Sequence, residues 1–157
     1  MGPEPYIWEM LLRLLAAVAL GSVIGWERES RRKPAGLRTH TMVSLGSAAF
    51  TLLAVYMLHA IEPGSDTQRV DPVRLIQGVA TGIGFVGAGT IIQSHGSVQG
   101  ITTATTIWVA AATGVACGAG HLLLAAAVAA LSLFVLVGLG WLERRAISTP
   151  KDEANDE

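Results

Sequence analysis

The sequence predicts an all-α integral membrane protein, a bundle of about five transmembrane helices with its N-terminus outside and its C-terminus cytoplasmic. Three observations lead there. Only 15% of the 157 residues are charged, against about 25% in soluble chains. No Asp, Glu, Lys or Arg occurs between Leu75 and Leu142, although a helix with one face in water needs polar residues along that face. The charges that do occur fall in four clusters, and the stretches between them approach the roughly 20 apolar residues that a bilayer span requires. A net charge of −1 gives no sign of a nucleic-acid footprint. The apolar content and the single cysteine exclude a disordered chain and a disulfide scaffold.

Taken in order, the spans are expected at about 10–26, 42–61, 73–92, 101–118 and 122–142, with an external N-terminus 1–9 and a polar cytoplasmic tail 143–157. Turn-forming residues mark the breaks: Lys33-Pro34-Ala35-Gly36, Glu62-Pro63-Gly64-Ser65-Asp66, Ser94-His95-Gly96-Ser97 and Gly118-Ala119-Gly120. Helices rather than barrel strands are expected, because each helix satisfies its own backbone in lipid and 122–139 shows no alternation. The first loop holds Arg28, Arg31, Arg32, Lys33 and Arg38, so it is assigned to the cytoplasm. Glu143-Arg144-Arg145 puts the tail on the same side. The first span is read as uncleaved, since no basic residue precedes it. Trp8 and Trp26 suit two interfacial anchors, as do Trp141 and Arg144 for the last span, and Arg13 is expected to snorkel.

Within this frame a few groups stand out. Gly82-Ile83-Gly84-Phe85-Val86-Gly87 matches the dinucleotide-binding pattern, but it lies inside an apolar span with no acid before Glu143. Close helix packing is the preferred reading, through Gly78, Gly82, Gly84, Gly87 and Gly89. A broken helix around a substrate is the alternative. Ala17, Gly21 and Gly25 form a second small stripe, and Gly114 and Gly118 a third, so a tight bundle or a homodimer is expected. Glu27-Arg28-Glu29 closes the first span. A carboxylate at a helix C-terminus opposes the macrodipole, so Glu27 needs a partner, and Arg38 is near enough in sequence to supply one. Asp71 before Pro72 reads as an N-cap with proline at the first helical position. Arg74, one turn in, calls for an acid such as Asp71. Glu62, Asp66 and Asp71 could together make a weak outer divalent-cation site.

Thr102, Thr103, Thr105 and Thr106 open the fourth span, where they can bond carbonyls or line a hydrated vestibule. Trp108, mid-span, is expected to turn its N–H into the bundle. His40, His59, His95 and His121 are scattered near span ends without metal-ligand spacing, and Cys117 is a lone apolar-span cysteine. No nucleophile–base set is present, so no enzyme is expected.

The series Ile24-Gly25-Trp26-Glu27-Arg28-Glu29, Gly36-Leu37-Arg38-Thr39-His40, Asp71-Pro72-Val73-Arg74, Gly82 to Gly89, and Gly100-Ile101-Thr102-Thr103-Ala104 with Trp108 resembles the MgtC/SapB family of bacterial inner-membrane proteins over about residues 9–142. The resemblance implies a multi-pass inner-membrane location and a role in adaptation to low magnesium, which supports virulence in some members. It implies a regulator acting on other membrane proteins, notably the ATP synthase, although the family is often labelled a magnesium transporter. It carries functional positions onto Glu27, Arg28, Arg38, Thr39, Asp71, Arg74, Gly82 to Gly89, Thr102, Thr103 and Trp108, to which Glu29 is added as part of the same polar network. Longer members have a cytoplasmic domain after the last span, and only Glu143 to Glu157 follows it here, so a short form is expected. Mg²⁺ is the one ion the resemblance brings in, and no ligand set for it is evident. Regulation is preferred over a cation transporter or channel, because the third to fifth spans carry no intramembrane acid.

Overall fold

The computed structural model describes residues 7–60, 71–94 and 97–147. Its elements are α1 (Ile7–Ser30), α2 (Leu37–Ala60), α3 (Pro72–Ala88), the strands β1 (Ile92–Ser94) and β2 (Ser97–Gln99), α4 (Ile101–Gly118) and α5 (Leu122–Phe134). A π-helical stretch, Val135–Leu139, carries α5 into α6 (Gly140–Ile147). Residues 62–66 and the tail 148–157 lie outside the described residues, so the expected second break and the outer acids Glu62 and Asp66 do as well.

Four segments are long and apolar enough to cross a membrane: Ile7–Ser30, Leu37–Leu58, Ile101–Gly118 and Leu122–Leu142. Val73–Ala88 is apolar but shorter. The third helix stops before the expected residue 92 because the chain turns at Gly89. Thr90 donates both its N–H and its hydroxyl to the Gly87 carbonyl, at 3.0 and 2.7 Å. A two-stranded hairpin follows, with Ile92 opposite Gln99 and Ser94 opposite Ser97. This hairpin is an addition to the all-α expectation. Ile91, Ile92 and Val98 are as apolar as a span, but β-branched residues also suit strands, and composition alone does not separate the two. Gly100 closes the hairpin at φ 92°, and any side-chain carbon there would collide with the Thr90 carbonyl.

α2 lies antiparallel to α1 and parallel to α4, as the pairings of Leu37 with Gly25, Ser44 with Gly21 and Gly114, and Ala48 with Gly118 require. α4 is the central helix, packed against α1, α2, α3 and α5. The core cluster is of small residues, Ala17, Ala48, Ala116, Cys117 and Ala125, and Ile24 and Ile107 are the large apolar side chains that are also fully buried. Large apolar side chains point outward, including Leu15, Phe50, Phe85, Leu123 and Phe134. In water this arrangement would be inside-out. In lipid it is expected, because tails solvate large apolar groups as well as a core does and close backbone approach favours small ones. Ser44, fully buried, donates its hydroxyl to the Ala17 carbonyl at 2.9 Å and ties α2 to α1.

Arg13 does more than snorkel. It pairs with Glu9 one turn earlier and donates from Nη1 to the Gly118 carbonyl at 3.1 Å. A cation on the last carbonyls of α4 is favoured by the helix dipole. Gly120, at φ 84°, ends that helix beneath the guanidinium.

Candidate functional site

Where α1 ends and α2 and α4 begin, the helix ends enclose a polar cluster. α1 continues past the apolar Trp26 to Ser30, because Glu27 and Arg31 stand four residues apart on one face. Glu27 and Arg28 are both buried, 8% and 3% exposed. Glu27 Oε2 accepts from Arg28 Nε at 2.5 Å and lies 2.5 Å from its Nη2. Arg31 Nε lies 2.5 Å from the other carboxylate oxygen, Oε1. That approach is out of line for a hydrogen bond, which leaves Oε1 buried with an ion-pair contact alone. Two guanidiniums thus share one carboxylate. The arrangement answers the need for a partner that Glu27 has at a helix C-terminus, but the partners are Arg28 and Arg31. Arg38 is exposed, with no ion pair among the described residues, and Thr39 is half-buried.

The turn beneath the cluster is tightly built. Arg32 ends α1 in the left-handed region at φ 52°, and Lys33 N–H reaches back to the Arg28 carbonyl at 3.0 Å. Glu29 extends its carboxylate to the Leu37 N–H at 3.0 Å and so caps α2 from outside that helix. Gly36 is confined by this cap, since a side-chain carbon there would overlap the Glu29 carboxylate.

His40, fully buried, joins α2 to α4. Its Nδ1 lies 2.8 Å from the Gly36 carbonyl, an acceptor only, so Nδ1 carries a proton and donates. Its Nε2 lies 3.0 Å from Thr106 Oγ1. That hydroxyl also stands 2.9 Å from the Thr103 carbonyl, and its one proton serves either that carbonyl or Nε2. The sequence gives His40, Arg31 and Ser44 no site role, and Thr106 only the carbonyl bond expected of the four threonines, which it makes to Thr103. The available signal was the pairing of Thr103 with Thr106 three residues on, which places both on one buried face of α4, while Thr102 is exposed.

The second group of candidate residues lies at the opposite end. Asp71 Oδ1 accepts from the Val73 N–H at 2.9 Å and is the N-cap of α3. It makes no ion pair with Arg74, which is exposed and has none among the described residues. Trp108, expected to point inward, is 53% exposed on the outer side of α4. The α3 glycines are mostly unpacked: side-chain carbons at Gly78, Gly82 or Gly84 would meet nothing within 4 Å. At Gly87 alone would a side-chain carbon meet another helix, 3.5 Å from the Ala104 carbonyl, and at Gly89 it would meet the Val86 carbonyl of its own helix. Among the described residues no group of three or more His, Cys, Asp or Glu comes together to hold a metal.

A family model described as the MgtC family matches residues 14–145. The chain is 42% identical over 129 residues to the putative magnesium transporter YhiD of Escherichia coli K12, covering 82% of this chain and 59% of that protein. It is 41% identical over 117 residues to protein MgtC of Salmonella typhimurium LT2, covering 74% and 45% respectively. It is 38% identical over 143 residues to protein SrpB of Synechococcus elongatus, covering 85% and 76%. The chain spans about half the length of most of the curated relatives it matches. No solved structure gives a significant match. The chain belongs to the MgtC family.

Proposed function

We propose, with membership of the MgtC family as the premise, that this protein is a multi-pass inner-membrane component of magnesium homeostasis that works by contact with other membrane proteins. The observation that carries this reading is one face of α3. Gln77, Thr81, Gly84 and Ala88 recur at helical spacing and are all exposed. Lipid cannot satisfy an amide or a hydroxyl, whereas a neighbouring helix can. A helical glycine costs roughly 0.5–1 kcal/mol relative to alanine, and at Gly84 no contact within the chain offsets that cost. Both features make sense with another protein helix against them. The ATP synthase, by family resemblance, and a second copy of this chain are the two partners proposed.

Transport, the activity in the printed name of YhiD, is the competing reading. The buried carboxylate at one end is already neutralised by two arginines, and no acid lines α3, α4 or α5. Intramembrane acids are the usual mark of an ion path. In the proposed topology α3 also crosses, giving five spans with the Arg31–Lys33 turn cytoplasmic.

The deciding experiment is purified protein in liposomes loaded with a Mg²⁺ dye. No uptake above protein-free vesicles is expected. Uptake that Glu27→Ala or Asp71→Ala abolishes would overturn regulation as the sole account. For the partner face, Gly84→Leu should weaken co-purification or self-association while the protein stays folded, and unchanged capture would count against it. A cysteine in the Arg31–Lys33 turn should be shielded from an impermeant reagent in intact cells. Ready labelling would invert the topology.

A further inference from the structure

On the other side of α3 from Gly84, α2 and α3 leave a groove of about 620 Å³ between them. Its width comes from Gly46, Gly78 and Gly82, where a side-chain carbon would meet nothing within 4 Å. Phe50 and Ile83 are among its apolar walls, and Arg74 stands at one end. From Arg74 to Val86 the groove follows α3 for roughly 18 Å at helical rise. That is close to one leaflet, half of the roughly 30 Å hydrocarbon thickness.

We propose that this groove is a binding site for one anionic phospholipid, with an acyl chain lying along Gly78 and Gly82 and the headgroup held at Arg74. Length argues for an acyl chain, which runs from an interface toward the midplane as the groove does. Charge selects the headgroup. Arg74 is exposed, one turn inside a helix N-terminus where a cation is unfavourable without an anion. The nearby carboxylate of Asp71 is engaged with the Val73 amide. The site goes beyond the partner reading and stands on different residues, so either can fail alone.

The test uses the full chain in mixed micelles of phosphatidylglycerol and phosphatidylcholine, with retained lipid counted by native mass spectrometry. Wild type should retain phosphatidylglycerol about fivefold over phosphatidylcholine, the effect of one basic side chain beside an anionic lipid. Arg74→Gln should bring the ratio to parity. Gly78→Leu should expel the lipid while helical content and melting temperature hold. Millimolar inorganic phosphate should displace nothing, and displacement would mean an ion site instead. A photoactivatable acyl chain should cross-link wild type near Phe50 or Ile83, a readout that needs no variant to fold. Parity in wild type, undiminished retention in Gly78→Leu, or cross-links confined to other faces would each overturn the proposal.

Discussion

The seam of α1, α2 and α4 and the body of α3 use the same residue type at the same spacing, and they use it oppositely. In the seam, a side-chain carbon on Gly21 would sit 2.7 Å from Ser44 Cβ, one on Gly25 2.8 Å from Leu37 Cα, and one on Gly118 2.5 Å from the Ala48 carbonyl. These glycines are there because backbones touch. On α3, Gly78, Gly82 and Gly84 touch nothing. A small-xxx-small stripe is therefore permission for close approach, and a neighbour must still arrive. In the seam the neighbour is the same chain. On α3 it is proposed to be a partner on one face and a lipid on another.

The largest effect is expected at the end of the seam proposed to be cytoplasmic. Glu27→Ala leaves Arg28 buried without its counter-charge and should cost about 3–5 kcal/mol, read from denaturation in detergent. Replacing Glu27 and Arg28 together with leucine should recover most of that loss. Next, Gly114→Leu must push against the Ser44 backbone and should destabilise by about 3 kcal/mol, the upper end of overpacking. Gly84→Ala tests the other side of the contrast: it should stabilise by roughly 0.5–1 kcal/mol, because nothing lies in its way and alanine is the better helix former. If Gly84→Ala instead destabilised as Gly114→Leu does, the two regions would not differ as described. The smallest effect is expected for Ser44→Ala, about 0.6 kcal/mol, the usual worth of an interhelical side-chain hydrogen bond in a membrane. Thermal melting of the purified variants checks all three.

The site was legible in part. Glu27 was marked as needing a partner by its place at a helix end, and that physical argument is local. Which arginine answers depends on how the chain turns after α1. Arg32 in the left-handed region and the Glu29 cap on Leu37 lead α2 away with Arg38 on the outside. His40 was hidden for a related reason. A histidine near a span end has the same composition whether it faces the interface or a neighbouring helix, and only the arrival of Thr106 from 66 residues away decides. Trp108 shows the converse. Its mid-span position suggests burial, but a helix in lipid also has an outer face for large side chains, and the tryptophan takes it. The hairpin after α3 is not legible in the sequence because apolar β-branched residues suit both a span and a strand.

The sequence alone carries the apolar, mostly helical character and the family. Those rest on where charges are absent and on motifs in order, and both are properties of the linear chain. Which glycines close a seam and which stand open was decided only by the tertiary structure. That packing acts between residues far apart in sequence, such as Gly114 and Ser44, which local pattern does not encode, whereas the ion pairs of Glu27 and Arg13 lie within four residues.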